Sequence, residues 1–131
     1  RKNIKDIIDE NVGNEFYYNN HRYFDLLSQH LNNSNTFYQY RRGVIRENKN
    51  NSCPTLTANM GTGGHNVPLM VFKNKSIRKL TPEECIKFQG FPKSFKFSPK
   101  VSATQRYKQA GNSVVVPLIK KIAIQIKNVL N

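Results

Sequence analysis

Gln39, Arg41, Arg42 and Arg46 stand close together in a run of aromatic and β-branched residues. Gln and Arg are the side chains best shaped for paired hydrogen bonds to adenine and guanine edges. On one strand, alternation places Gln39 and Arg41 on one face and Arg42 on the other. Further along, Thr55 and Thr57 flank Leu56, so both hydroxyls can face a partner while Leu56 turns inward. Gly61, Gly63 and Gly64 follow; they would let main-chain N–H groups approach that partner closely, although a hairpin uses such glycines equally well. Nucleophiles and metal ligands are sparse. Cys53 and Cys85 are the only thiols, and small thiols of this kind commonly pack in a core. Together with His21, His30 and His65 they show no CxxC or HxxxH spacing, so no metal site is expected. Gly111-Asn112-Ser113 precedes an apolar run and can present backbone and short polar groups at a helix start.

The charge balance narrows the partner. Twenty-one Lys and Arg against eight Asp and Glu leave the 131 residues at +13, an electrostatic footprint suited to a polyanion, nucleic acid first. The basic residues are spread along the chain, and no apolar run reaches membrane length, which argues against a membrane partner. Two cysteines are too few for a disulfide framework and no secretory signal is evident, so a reducing, cytoplasmic setting is expected.

These groups need elements to hold them. Ile4, Ile7 and Ile8, beside Asp6, Asp9 and Glu10, predict a short amphipathic connector helix over residues 1–13. Phe24, Leu27 and Leu31 predict a second helical patch. Phe37 to Arg46 reads as a strand between Asn-rich turns at 32–35 and 48–51, and Cys53 to Met60 and Val67 to Phe72 read as strands around the glycine cluster. Thr81-Pro82-Glu83-Glu84 has the spacing of a capping box with Pro at the first helical position, and Gly90-Phe91-Pro92 ends that helix. Ile119, Ile122, Ile126 and Leu130 share one face of a terminal helix that must dock against something.

Three of these segments resemble one family. Arg78-Lys79-Leu80-Thr81-Pro82-Glu83-Glu84-Cys85-Ile86-Lys87-Phe88-Gln89-Gly90-Phe91-Pro92 resembles the ninth conserved block of DNA (cytosine-5)-methyltransferases. Gln109-Ala110-Gly111-Asn112-Ser113-Val114-Val115-Val116-Pro117 resembles the tenth, and Cys53-Pro54-Thr55-Leu56-Thr57-Ala58 is similar to the Thr-Leu segment of the target-recognition region. The resemblance implies an α/β fold. A small, mixed strand-and-loop target-recognition domain over 14–100 would be followed by a helical segment, 101–131, whose C-terminal helix packs on a Rossmann-like methyltransferase domain absent from this chain. It implies double-stranded DNA as partner, S-adenosylmethionine as cofactor, and a reaction on a flipped cytosine attacked by a cysteine thiolate, in a restriction-modification setting.

By carry-over, Asn112, Ser113 and Val114 would line the cofactor pocket. Gln39, Arg41, Arg42, Arg46, Thr55, Thr57, Gly63, Gly64 and Arg78 are the candidate DNA contacts, while Glu84, Phe88, Gln89 and Phe91 are expected to be scaffold. The family places its nucleophile in a Pro-Cys pair, with a Glu-Asn-Val segment and an N-terminal glycine-rich cofactor loop, and all three are expected to lie outside this chain. No catalytic residue is therefore expected here. The N-terminal catalytic portion would belong to the same or a separate chain, and a non-catalytic DNA-binding module is the alternative.

Overall fold

Thr81 begins the element that the sequence specifies most fully. In the computed structural model, which describes residues 4–49, 52–62 and 67–130, Thr81 is the N-cap of helix α2 (Pro82–Phe88). Its hydroxyl accepts from the Glu84 N–H at 3.1 Å, and the Glu84 carboxylate accepts from the Thr81 N–H at 2.8 Å. The reciprocal pair satisfies donors that a helix start leaves open. Gln89 caps the other end, and Gly90 leaves the helix at φ +81°, a conformation that favours glycine.

Four antiparallel strands form one sheet in the order β2-β1-β3-β4: β1 (Phe37–Arg41), β2 (Val44–Asn48), β3 (Leu69–Val71) and β4 (Ile77–Lys79). The expected single strand from Phe37 to Arg46 is thus a hairpin. Arg42 and Gly43 have φ of 51° and 77°, the positive pair that a two-residue hairpin turn requires. Arg42 sits at the tip of that turn, not on the reverse face of a strand. Cys53 to Met60, expected as a strand, lies outside the sheet, and its last three residues form a turn; Pro54 has no N–H to give a ladder. The glycine cluster that should follow is partly beyond the described residues.

The expected N-terminal helix shrinks to a 3-10 turn at Ile4–Asp6. So short a helix nucleates poorly, and long-range bonds claim the chain that follows: the Asp9 N–H donates to Glu84 at 2.8 Å and the Asp9 carbonyl accepts from Arg78 at 3.0 Å. Helix α1 (Phe24–His30) forms where Phe24, Leu27 and Leu31 predict it, with Leu27 and Leu31 buried. Helix α3 (Ala103–Asn112) lies within the helical segment expected over 101–131 but was not placed as a separate element, and it buries only Tyr107 and Ala110. Its local signal is Ser102, whose hydroxyl accepts from the Gln105 N–H at 3.3 Å. Helix α4 (Val116–Leu130) follows the predicted span, yet none of its residues is buried.

Adjacent β1 residues face opposite ways, and each face has its own core. Phe37 joins Met60, Leu80, Cys85, Ile86, Tyr107 and Ala110, whereas Tyr38 joins Leu27, Leu31, Leu69, Val71 and Ile77.

Candidate nucleic-acid interface

The hairpin register decides which polar side chains meet. Phe37 pairs with Asn48, Gln39 with Arg46 and Arg41 with Val44, and paired residues of an antiparallel ladder project to the same side. Phe37 fills the core at the root of this face; beyond it Gln39 is half-buried, and Arg41 and Arg46 are exposed. An open groove of about 570 Å³ runs along it, lined by Gln39, Arg41 and Asn48 from the hairpin and by Thr55, Thr57 and Asn59 from the segment after it. Asn48 ties the two walls, since its Nδ2 donates to the Ser52 carbonyl at 2.5 Å. The Thr57 hydroxyl lies 2.6 Å from Asn59 Oδ1. Leu56 packs against the core between the two threonines.

Four expected residues, Gln39, Arg41, Thr55 and Thr57, therefore share one groove. Arg46 lies on the same sheet face, opposite Gln39, and Arg42 is exposed at the hairpin tip. Gly63 and Gly64 lie outside the described residues. Sequence reasoning missed Asn48 and Asn59 in the lining. Asn48 was legible only through the register, which follows once Arg42-Gly43 is recognised as a two-residue turn. Chemically, the groove offers amide, guanidinium and hydroxyl groups, able to pair with base edges and phosphate oxygens.

Arg78 requires a correction. Expected to contact DNA, it is fully buried, and its guanidinium grips the Glu84 carboxylate at 2.7 and 2.8 Å. A buried carboxylate needs such a partner, and β4 delivers Arg78 beneath α2 to supply it. Its neighbour Lys79 stays half-buried, the ammonium lying 5.9 and 5.7 Å from the ring centres of Phe16 and Tyr107. Burial pulls the Lys79 pKa down, with Glu15 opposing the shift. The scaffold role expected of Glu84 and Gln89 agrees with their burial.

The thiols are packing groups. Cys85 is buried and Cys53 packs on the same core; burial pushes the Cys53 thiol up to about 12 and the Cys85 thiol well above its ordinary value, which favours the neutral thiol at both sites. The expectation that a Glu-Asn-Val segment lies outside the chain is corrected by the sequence itself, which reads Glu10-Asn11-Val12. Here Glu10 borders an apolar hollow lined by Ile4, Ile8, Met70 and Phe72, which is separate from the polar groove. Among the described residues no three His, Cys, Asp or Glu side chains gather as a metal site, and no helix is long and apolar enough to cross a membrane.

Asn112, Ser113 and Val114 lie at the end of α3 and in the turn to α4, not at a helix start. Gln89 braces both sides of this turn. Its Nε2 donates to the Ala110 carbonyl at 2.5 Å, and its carbonyl accepts from the Val116 N–H at 2.9 Å. The Ser113 hydroxyl donates to Ala110 at 2.7 Å, while Asn112 and Val114 are exposed. Together they offer a short wall with one amide and one apolar side chain.

Comparison with known proteins fixes the class: the chain belongs to the C-5 cytosine-specific DNA methylases, whose family model matches residues 1–128. Among individual relatives, the Type II methyltransferase M.Bsp6I of Bacillus sp. (strain RFL6) is 52% identical over 127 residues, covering 94% of this chain and 40% of that protein. M.SsoII of Shigella sonnei is 33% identical over 128 residues, covering 98% of this chain and 33% of that protein. M.HhaI of Haemophilus parahaemolyticus is 44% identical over 70 residues, covering 53% of this chain and 19% of that protein. The chain thus spans no more than 40% of the length of these relatives. No solved structure gave a match.

Proposed function

We propose that this chain supplies DNA recognition and one wall of the S-adenosylmethionine pocket in a DNA (cytosine-5-)-methyltransferase of a restriction-modification system. The observation that carries it is the polar groove where Gln39, Arg41, Thr55 and Thr57 converge, in a chain of net charge +13. Gln39 and Arg41 would pair with base edges, while the threonine hydroxyls, with Arg42 and Arg46 nearby, would hold the phosphate backbone. Those contacts help offset the few kcal/mol needed to take a cytosine out of the stack.

Asn112, Ser113 and Val114 would form their wall of the cofactor pocket. S-adenosylmethionine, when bound, would supply the methyl group for carbon 5 of the flipped cytosine. The nucleophile belongs to an N-terminal catalytic portion, in the same or a separate polypeptide, because both thiols here are packed and protonated. The exposed Leu118, Ile119, Ile122 and Ile126 of α4 support such a portion as the surface on which this helix packs.

The test is to combine this chain with the N-terminal catalytic portion and follow transfer of a labelled methyl group to duplex DNA. Transfer should require both parts. DNA binding by this chain, with no transfer in the mixture, would instead assign it as a non-catalytic DNA-binding module.

A further inference from the structure

Tyr107 and Gly111 are four residues apart on α3 and so lie on one face. Both touch the segment that carries the groove threonines. The Tyr107 ring covers Gly61, where an added Cβ would come within 2.5 Å of it, and the Tyr107 hydroxyl donates to the Leu80 carbonyl at 2.6 Å. One helical turn later, Gly111 lies directly on the Thr57–Ala58 peptide. A Cβ there would meet the Thr57 carbonyl carbon and oxygen at 2.2 Å and the Ala58 nitrogen at 2.4 Å.

That peptide has little room to withdraw. The Thr57 carbonyl closes its turn by accepting from the Met60 N–H at 3.1 Å, and Met60 is fully buried. Nor does torsion call for glycine at 111, which lies within α3 and is not among the positive-φ glycines. Helix propensity alone would favour alanine. What glycine provides is backbone contact between the end of α3 and the Thr57 turn.

We propose that Gly111 is a positioning residue: its contact with the Thr57–Ala58 peptide fixes the Asn112–Val114 turn relative to Thr55 and Thr57, so both segments move as one unit. The two ligands served rest on the function proposed above; the mechanical coupling does not. In the combined enzyme, Gly111→Ala should raise the KM for DNA and the KM for S-adenosylmethionine together, each by about tenfold, the change that a loss of about 1.4 kcal/mol of binding at each displaced segment would give. Partial unfolding would instead lower the active fraction and kcat, with both KM values unchanged. A change in one KM alone, or two unchanged KM values in a variant that folds fully, overturns the coupling.

Amide exchange decides the matter without activity. In the full chain, the Met60 and Ser113 amides, bonded to Thr57 and Ala110, should open as one unit with the same urea dependence, and Gly111→Ala should speed both. Separate openings in the natural sequence overturn the proposal even if the variant fails to fold. Inactivity of the natural mixture sinks the methyltransferase assignment, and exchange still decides for or against Gly111.

Discussion

Replacing Arg78 with Met separates a structural role from a DNA-binding one. Arg78 and Glu84 are both wholly buried. The Glu84 carboxylate accepts from the two Arg78 terminal nitrogens at 2.8 and 2.7 Å, and from the Asp9 and Thr81 N–H groups at 2.8 Å each. Arg78 also donates to the carbonyls of Lys79 and Asp9 at 3.1 and 3.0 Å. In Arg78→Met the carboxylate keeps two donors, loses its counter-charge, and two carbonyls lose a donor. Removing one partner of a buried pair costs about 3–5 kcal/mol, against a total stability of about 5–15 kcal/mol for a typical domain. Urea denaturation followed by circular dichroism should therefore show a midpoint moved to much lower urea, with an unfolding free energy smaller by about 3–5 kcal/mol. Arg78→Met combined with Glu84→Met should recover part of the loss, because two apolar side chains of similar volume leave no unpaired charge. Under an osmolyte that restores folding, the slope of DNA affinity against salt should be unchanged. Loss of less than about 1 kcal/mol, with a slope shallower by about one unit, would make Arg78 a phosphate contact and refute the buried-pair account.

Three further outcomes follow from the same geometry. Thr81→Ala removes the acceptor of the Glu84 N–H and should lower unfolding free energy by about 1 kcal/mol, with DNA affinity in the folded protein unchanged in a binding titration. Arg41→Ala, compared with Arg42→Ala on matched and mismatched duplexes, should erase discrimination at one position and cost about 1–3 kcal/mol there; uniform weakening with a shallower salt slope would assign Arg41 to phosphate. Burial raises the Cys53 pKa from 9.0 to about 12, so the folded state favours the neutral thiol. The resulting stabilisation is complete below pH 9 and lost as pH climbs toward 12. Stability of the natural chain minus that of Cys53→Ala should fall across that window by up to about 1.4 kcal/mol per pH unit, and a flat difference would mean that the thiol is not desolvated.

Local chemistry was legible wherever one short segment determined its own conformation. Thr81 to Glu84 is such a case, because the cap, the proline and the returning carboxylate lie within one helical turn. The hairpin was misread because aromatic and β-branched residues continue on both sides of Arg42-Gly43, and Arg42 is an unusual occupant of a positive-φ position. Once that turn is placed, the register gathers Gln39, Arg46 and Asn48 on one face. Arg78 failed for a different reason. An arginine before a helix N-terminus suits an anion in solution, and only the tertiary fold puts Glu84 of the next helix over it. Gly111 likewise gives no signal by spacing, since its partner is a peptide more than fifty residues earlier in the chain.

The two ends of the +13 chain meet water differently, and that difference bears on how the parts divide their work. Around the groove, exposed Arg41, Arg42 and Arg46 project from a hairpin anchored by buried Phe37 and Tyr38, so charge is presented on a surface already held by its own core. Helix α4 has no such anchor: Ile119, Ile122 and Ile126 are about half exposed, and Val129 and Leu130 are more than three-quarters exposed. A 15-residue helix is marginal in water without tertiary packing, and burying each large aliphatic side chain stabilises by about 1.5–3 kcal/mol. The candidate DNA-binding residues thus rest on a fold that closes on itself, while α4, beside the proposed cofactor wall, buries none of its residues here and would gain stability from a partner surface. In the proposed enzyme, that wall would be completed by the same docking step that orders α4, and cofactor affinity would depend on assembly where DNA contact does not.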